Sequence, residues 1–296
     1  MADRMQAWTA AMRSGEFEAA WALAQQMLLE RDPATRDDSR LPYHLRWVWD
    51  GRDFDGRHVL VRCYHGLGDT IQFARYLPAL ARRAASLTVE VQPRLIDLLS
   101  RMPGPIQLVP FDPACPLPPS ECDLEITELD FALRLPPDQA PPPYLGASPA
   151  ILPKGTIGLC HGAGEWDRAR CVPPELFAPL CRRAPCITLM PERCPFPVLN
   201  RDGCPFDMGV TASLVAGAAL IVTVDTMIAH LAGAMGRPVW LLLKAEPDWR
   251  WPIDGRGSIW YPSVRLYVQP RPGDWLPVLA EVERDLVLRN RGIAER

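Results

Sequence analysis

His58-Val59-Leu60-Val61-Arg62-Cys63-Tyr64-His65-Gly66-Leu67-Gly68-Asp69-Thr70 is an apolar run that feeds a turn with two glycines, after which an acid opens a helical pattern. That layout brings backbone N–H groups close to an anion at a helix N-terminus. It also sets Asp69 at the carboxyl end of a strand, where open α/β sheets keep their ligands. The turn matches neither common phosphate fingerprint. Ile71 stands where the dinucleotide pattern wants a third glycine, and no Gly-Lys-Ser/Thr follows. Asp69 with Gln72 three residues on also reads as an N-cap in a capping box, so cap and ligand-facing acid both stay open.

A second unit of the same kind lies half a chain later, at Ile221-Val222-Thr223-Val224-Asp225-Thr226 followed by His230. The spacing predicts a helix from about 226 to 235 that ends at Gly236, with Pro238 beyond. His230 is then one turn deeper than Thr226 on the same face. Taken singly, Asp225 reads equally as an N-cap and His230 as a core histidine. The two units together suggest two nucleotide-fold halves facing one cleft.

The totals set bounds on this reading. A chain of 296 residues with 48% hydrophobic and 23% charged residues can bury two modest cores. A formal charge of −3 gives no reason to expect a nucleic-acid partner. Lys154 and Lys244 are the two lysines among 32 basic residues, a skew that makes any single arginine weak grounds for a site. The nine cysteines include no Cys-x-x-Cys, and those at 63, 160 and 186 fall in apolar runs as small hydrophobes. Cys181 to Cys204 has no histidine and the wrong spacings for zinc, so no metal is expected. No secretory signal pattern opens the sequence, and the apolar stretch near 214–224 is too short to span a bilayer. The expectation is a cytoplasmic protein.

Residues 1–50 read as a helical hairpin: Gly15-Glu16-Phe17 through Leu29 has apolar residues at helical spacing and meets Asp32-Pro33. It resembles half of a tetratricopeptide unit, and one such unit cannot form an array. From 51 to 140 strands at 58–63, 87–91, 106–110 and 122–126 alternate with helices at 69–85 and 93–102, the rhythm of a parallel sheet. Pro78 predicts a kink or stop in the first of these helices. Residues 135–153 hold seven prolines, and 141–153 reads as a linker. Over 154–274 the alternation resumes with strands at 156–160, 186–190, 220–224, 238–243 and 264–268. An amphipathic helix is expected within 275–296.

His65-Gly66-Leu67-Gly68-Asp69-Thr70-Ile71-Gln72-Phe73-Ala74-Arg75-Tyr76-Leu77-Pro78 resembles the N-terminal motif of the heptosyltransferase-like glycosyltransferases, glycosyltransferase family 9. The similarity is to the branch often joined to tetratricopeptide repeats, found in bacteria. Asp225-Thr226-x-x-x-His230-Leu231-Ala232-Gly233-Ala234-x-Gly236-x-Pro238-Val239-Trp240 resembles that family's C-terminal signature. Asp248-Trp249-Arg250-Trp251, Trp260-Tyr261-Pro262 and Gln269-Pro270-Arg271-Pro272-Gly273-Asp274-Trp275 extend the likeness over about 45–290.

The resemblance implies an α/β chain of GT-B architecture, two Rossmann-like domains with parallel sheets facing a cleft. It implies inverting, metal-independent transfer of a sugar from a nucleotide-diphosphate donor to a cell-envelope glycan or a protein acceptor, without a cofactor. Asp69 matches the general base of that family. Gly66 and Gly68 belong to the donor-binding set, where they let acceptor and donor sugar approach the backbone, with His65 as a candidate ligand contact. Asp225, Thr226 and His230 mark the helix that would face the donor diphosphate, and Arg170 matches the basic residue that pairs with phosphate. Lys244 at a strand end is either a ligand contact or a solvated loop lysine. Peripheral membrane association is compatible with such an acceptor.

The sequence also departs from the family pattern. Cys160-His161-Gly162-Ala163-Gly164-Glu165-Trp166-Asp167 is shorter than the family's loop and lacks its Trp-Ala-Gly-Asn pattern, and Met190 to Phe206 is compressed. His161 is either a replacement ligand contact or loop filler. Trp249, Trp251, Trp260 and Tyr261 either stack on ligand or pack the core. Two other functions compete with transfer: a catalytically silent relative acting as a binding or scaffold module, and a sugar-nucleotide epimerase.

Overall fold

The computed structural model describes residues 2–253 and 255–292. The chain forms two compact units, Met1–Leu145 and Gly146–Arg296.

Unit 1 starts with α1 (Ala2–Ser14) and α2 (Phe17–Leu29). Gly15 makes the reversal between them with φ 75°, a left-handed geometry that favours glycine. Its N–H and that of Glu16 then close α1 on the carbonyls of Met12 and Ala11. Beyond Leu29 the chain runs through short 3₁₀ turns at Pro33–Thr35 and Tyr43–Leu45. The helical reading of residues 1–50 therefore holds only as far as Leu29, because Pro33 and Pro42 each restart the backbone in a turn.

The sheet of unit 1 comprises β1 (His58–Arg62), β2 (Ser86–Val91), β3 (Ile106–Pro110) and β4 (Cys122–Glu125), all parallel in the order β3-β2-β1-β4. After β1 come α3 (Leu67–Phe73), a 3₁₀ turn at Ala74–Tyr76, and α4 (Leu77–Ala81). The single helix expected through residue 85 is thus divided just before Pro78, which falls in the first turn of α4 where its missing N–H is harmless. Shorter helices α5 (Ile96–Leu99) and α6 (Leu129–Leu133) follow β2 and β4.

Arg62 lies in register with Glu90 and Glu125 and is 1% exposed. Its guanidinium donates to Glu90 Oε2 at 2.9 Å, Asp123 Oδ2 at 3.0 Å and the Leu117 carbonyl at 3.0 Å. A charge taken out of water needs such partners, and these also pin the loop that carries Leu117. The indole N–H of buried Trp21 donates to Asp130 Oδ2 at 3.1 Å, joining α2 to α6.

Unit 2 has five parallel strands, β5 (Ile157–Cys160), β6 (Cys186–Thr188), β7 (Leu220–Val224), β8 (Val239–Leu243) and β9 (Val264–Val268), in the order β6-β5-β7-β8-β9. Every residue of β7 and β8 is buried, which accounts for their unbroken apolar sequence. Strand β6 stops at Thr188, short of the expected residue 190. There Asn200 replaces a neighbouring strand, accepting from Thr188 N–H at 2.8 Å and donating to its carbonyl at 2.9 Å. The helices are α7 (Ala178–Cys181), α8 (Met208–Gly217), α9 (Met227–Ala234) and α10 (Leu276–Asn290). Val278, Leu279, Val282 and Leu286 of α10 join the core built on Leu159, Val222 and Leu242. The nine cysteines are free thiols, and burial pushes those of Cys63 and Cys160 up, the latter to about 12.

Candidate functional site

At the carboxyl end of the sheet in unit 1, Gly66 is extended (φ −71°, ψ 165°) and α3 begins at Leu67. Gly68 is therefore already in the first helical turn, and Asp69 is the third helical residue. The N-cap reading of Asp69 is corrected by this geometry. Thr70 N–H closes on the Gly66 carbonyl at 3.1 Å, so Gly66 is the cap, and Asp69 reaches back to it. Asp69 Oδ2 accepts the Gly66 N–H at 3.0 Å, half of a capping box with the acid at the third position. Gln72, the expected partner, is fully buried. A Cβ on residue 66 would stand 3.2 Å from that carboxylate oxygen, so glycine leaves room for it.

The turn before the helix is tied on both sides. Gln92 donates to the carbonyls of Cys63 (3.1 Å) and His65 (2.8 Å) and accepts from Thr70 Oγ1 at 3.0 Å. His65 Nδ1 lies 3.0 Å from Glu125 Oε1. Buried Glu125 also accepts the N–H groups of Tyr64 (3.1 Å) and Thr127 (2.7 Å). His65 is thereby fixed at the mouth of the turn, and Asp69 beside it stays half-exposed.

In unit 2, Thr226 caps α9 in an extended conformation (φ −155°, ψ 176°). Among the described residues its hydroxyl makes no bond to the helix, while the Ala229 N–H closes on the Thr226 carbonyl at 2.9 Å, which leaves Met227 and Ile228 as the amides at that end able to face an anion. Asp225, 7% exposed, is a buried acid. Burial first, then the neighbouring Asp248, pushes its carboxyl up to about 6 against the opposing pull of Arg170 and Arg250. Arg170 donates to the Asp225 carbonyl at 2.8 Å. Lys244, directly after β8, donates to Asp167 Oδ2 at 2.8 Å, and Arg170 Nε lies 3.8 Å from the same oxygen. The Lys244 hydrogen bond holds the Asp167 carboxyl below the usual carboxylate range. Arg170, Asp225, Thr226 and Lys244 are thus gathered at one end of the sheet, with Asp167 among them.

Two of the expected contacts have aromatic surroundings. His230 is buried on α9, its Nδ1 3.1 Å from the Tyr261 hydroxyl and its ring stacked on Trp251 at 5.6 Å. His161 lies against Phe177 and Phe196, with ring centres 6.1 and 6.3 Å away, and burial lowers its pKa.

No family model matches the chain. Protein FlbA of Caulobacter vibrioides is 24% identical over 79% of this chain and 47% of its own length. The chain thus spans about half the length of that curated relative. Among solved structures, a glycosyl transferase family 9 protein from Veillonella parvula is similar over 83% of this chain and 92% of its own, at 12% identity and a TM-score of 0.51. The E. coli ADP-heptose lps heptosyltransferase II is similar over 79% and 99% respectively, at 17% identity and a TM-score of 0.53. The heptosyltransferase TibC of enterotoxigenic E. coli, solved in complex with ADP-D-beta-D-heptose, is similar over 79% and 78%, at 12% identity and a TM-score of 0.53. The fold is heptosyltransferase-like.

In this heptosyltransferase-like, GT-B fold the aromatic cluster divides by role. Trp251, Trp260 and Tyr261 are fully buried and pack, whereas Trp249 is half-buried, edge-on to Trp260 at 5.8 Å and covered by Arg250 at 4.3 Å. Gly233 in α9 explains how Tyr261 reaches His230. A Cβ there would come within 2.5 Å of the Tyr261 ring. Sequence reasoning missed Gln92, Glu125 and Asp167. The first two had a signal, since each is a polar residue at the carboxyl end of a parallel strand; Asp167 falls in the loop read only as a departure.

Proposed function

We propose that this chain is a glycosyltransferase that moves a sugar from a nucleotide-diphosphate donor to a glycan or protein acceptor, inverting the anomeric centre without a metal. The observation that carries this reading is the cationic end of unit 2. Arg170, Lys244 and the first two amides of α9 converge at the carboxyl end of a parallel sheet, in a fold like that of enzymes named for ADP-heptose. Such an arrangement can neutralise charge that builds on a diphosphate leaving group, the work a divalent ion does elsewhere. The neighbour solved with ADP-D-beta-D-heptose supports a nucleotide sugar as the donor class.

In this reading Asp69 takes the proton from the acceptor hydroxyl as its oxygen attacks the anomeric carbon and the diphosphate oxygen leaves. Gly66 N–H orients the carboxylate for that step, and Glu125 orients the His65 ring beside it. Thr226 and the α9 amides hold phosphate oxygens. His230, packed between Tyr261 and Trp251, positions the helix. The acceptor reaction is assigned to the cytoplasm, and no helix among the described residues is long and apolar enough to cross a membrane.

A second reading, a binding module without transfer, is favoured by the Lys244–Asp167 ion pair, which leaves the cationic end already partly neutralised. Thermal unfolding with a panel of nucleoside diphosphates tests the site. A donor site raises the midpoint by mass action, and a flat response to every nucleotide at millimolar concentration overturns the proposal. Sugar transfer with the stabilising nucleotide's sugar conjugates then separates enzyme from module.

A further inference from the structure

We propose that the Asp167 carboxylate is a built-in occupant of the anion site of unit 2, which a bound diphosphate must displace, so that Asp167 sets the charge a ligand needs to enter. The inference rests on the donor reading above and deepens it. Asp167 Oδ2 accepts from Lys244 at 2.8 Å and lies 3.8 Å from Arg170 Nε. Arg170 is in turn fixed by its 2.8 Å bond to the Asp225 carbonyl, one residue before the cap of α9. One carboxylate oxygen therefore meets two cations where a phosphate oxygen would.

The segment that carries Asp167 suits a displaceable group. It belongs to the 3₁₀ stretch Glu165–Arg170 but breaks it, with φ −146° and ψ 82°. Among the described residues its second oxygen accepts a local bond, from Ala169 N–H at 3.2 Å. Asp167 is half-buried and Lys244 about a third exposed, so water can replace the pair as it opens. A carboxylate brings one negative charge to Lys244 and Arg170. A diphosphate brings more than one and also reaches the α9 amides, so it wins the exchange. A singly charged ligand gains little over the resident group and is refused. The pair also keeps two cations from facing each other unscreened when no ligand is bound.

The test is direct titration of wild type and Asp167→Asn with inorganic pyrophosphate, orthophosphate and ADP at low ionic strength, after melting curves confirm that both fold. Removing an exposed competing pair is worth about fivefold, so the variant should bind pyrophosphate and ADP about fivefold tighter. Its preference for pyrophosphate over orthophosphate should narrow, and adding Lys244→Ala should abolish the gain. If wild type binds ADP and the variant binds it equally or more weakly, Asp167 is no competitor and the donor reading stands alone. If neither protein binds pyrophosphate or any nucleoside diphosphate of the panel above, the donor reading falls and takes this inference with it.

Discussion

The junction after β1 and the junction after β7 each place an acid close to the start of the helix that follows a parallel strand, and they treat it in opposite ways. Asp69 comes three residues into its helix, bends back over the start of α3 and remains half-exposed. Asp225 comes one residue before the cap of α9 and turns into the protein, where burial raises its pKa to about 6. A shift of a few positions relative to the helix start separates an acid that solvent can reach from one that answers to its neighbours. The glycines follow the same division. Gly66 makes room for a carboxylate, whereas Gly233 makes room for a buried ring.

The largest effect expected from this contrast is on activity. Asp69→Asn should lower sugar transfer by about 10²–10⁴ while leaving nucleotide binding and the melting temperature nearly unchanged. A variant that transfers at the wild-type rate removes Asp69 from the role of base.

Asp225→Asn should act on stability instead. The folded carboxyl titrates near 6 and the unfolded one near 3.8, so the folded state keeps a proton that the unfolded state releases. The contribution of Asp225 is best below about pH 4, declines between about 4 and 6, and stays unfavourable at neutrality by about 3 kcal/mol at most. Urea unfolding across that range should show the Asn variant gaining on wild type as pH rises. A constant difference between the two proteins would show that Asp225 does not titrate in that window.

The glycines give the smaller effects. Gly233→Ala drives a methyl into the Tyr261 ring and should cost about 1–3 kcal/mol, read as a lower melting temperature. Gly66→Ala meets only the end of a side chain and should cost below about 1 kcal/mol, with its consequence visible in the transfer rate. Equal losses of stability at the two positions would erase the distinction between the junctions.

Much of this was legible beforehand because parallel strands buried on both faces leave unbroken apolar runs, as at 220–224 and 239–243. The glycine turn was also readable, but Gly-Leu-Gly looked like loop throughout, and helix α3 absorbs its second glycine. That small displacement turned Asp69 from a cap into an acid that reaches back to one. Asp167 was invisible for a different reason. Its partner Lys244 is 77 residues away, and no local pattern reports a contact made by folding. The same distance effect hid Tyr261 behind His230, whose spacing from Thr226 pointed along the helix while its ring faces across to another segment.

The bond between the Trp21 indole and Asp130 has a consequence for how unit 1 is held together. Helices α1 and α2 are covalently joined to the sheet through 30–57, a stretch of turns and extended chain, yet Met12, Ala20 and Trp21 are sealed inside. Tertiary contact therefore retains the hairpin in addition to the connecting peptide, whose own Val48, Trp49 and Phe54 are buried. A cut within the exposed residues 30–35, away from buried Val48, Trp49 and Phe54, should leave a nicked protein in two pieces that stay assembled, which makes that turn the seam for splitting and rejoining this chain.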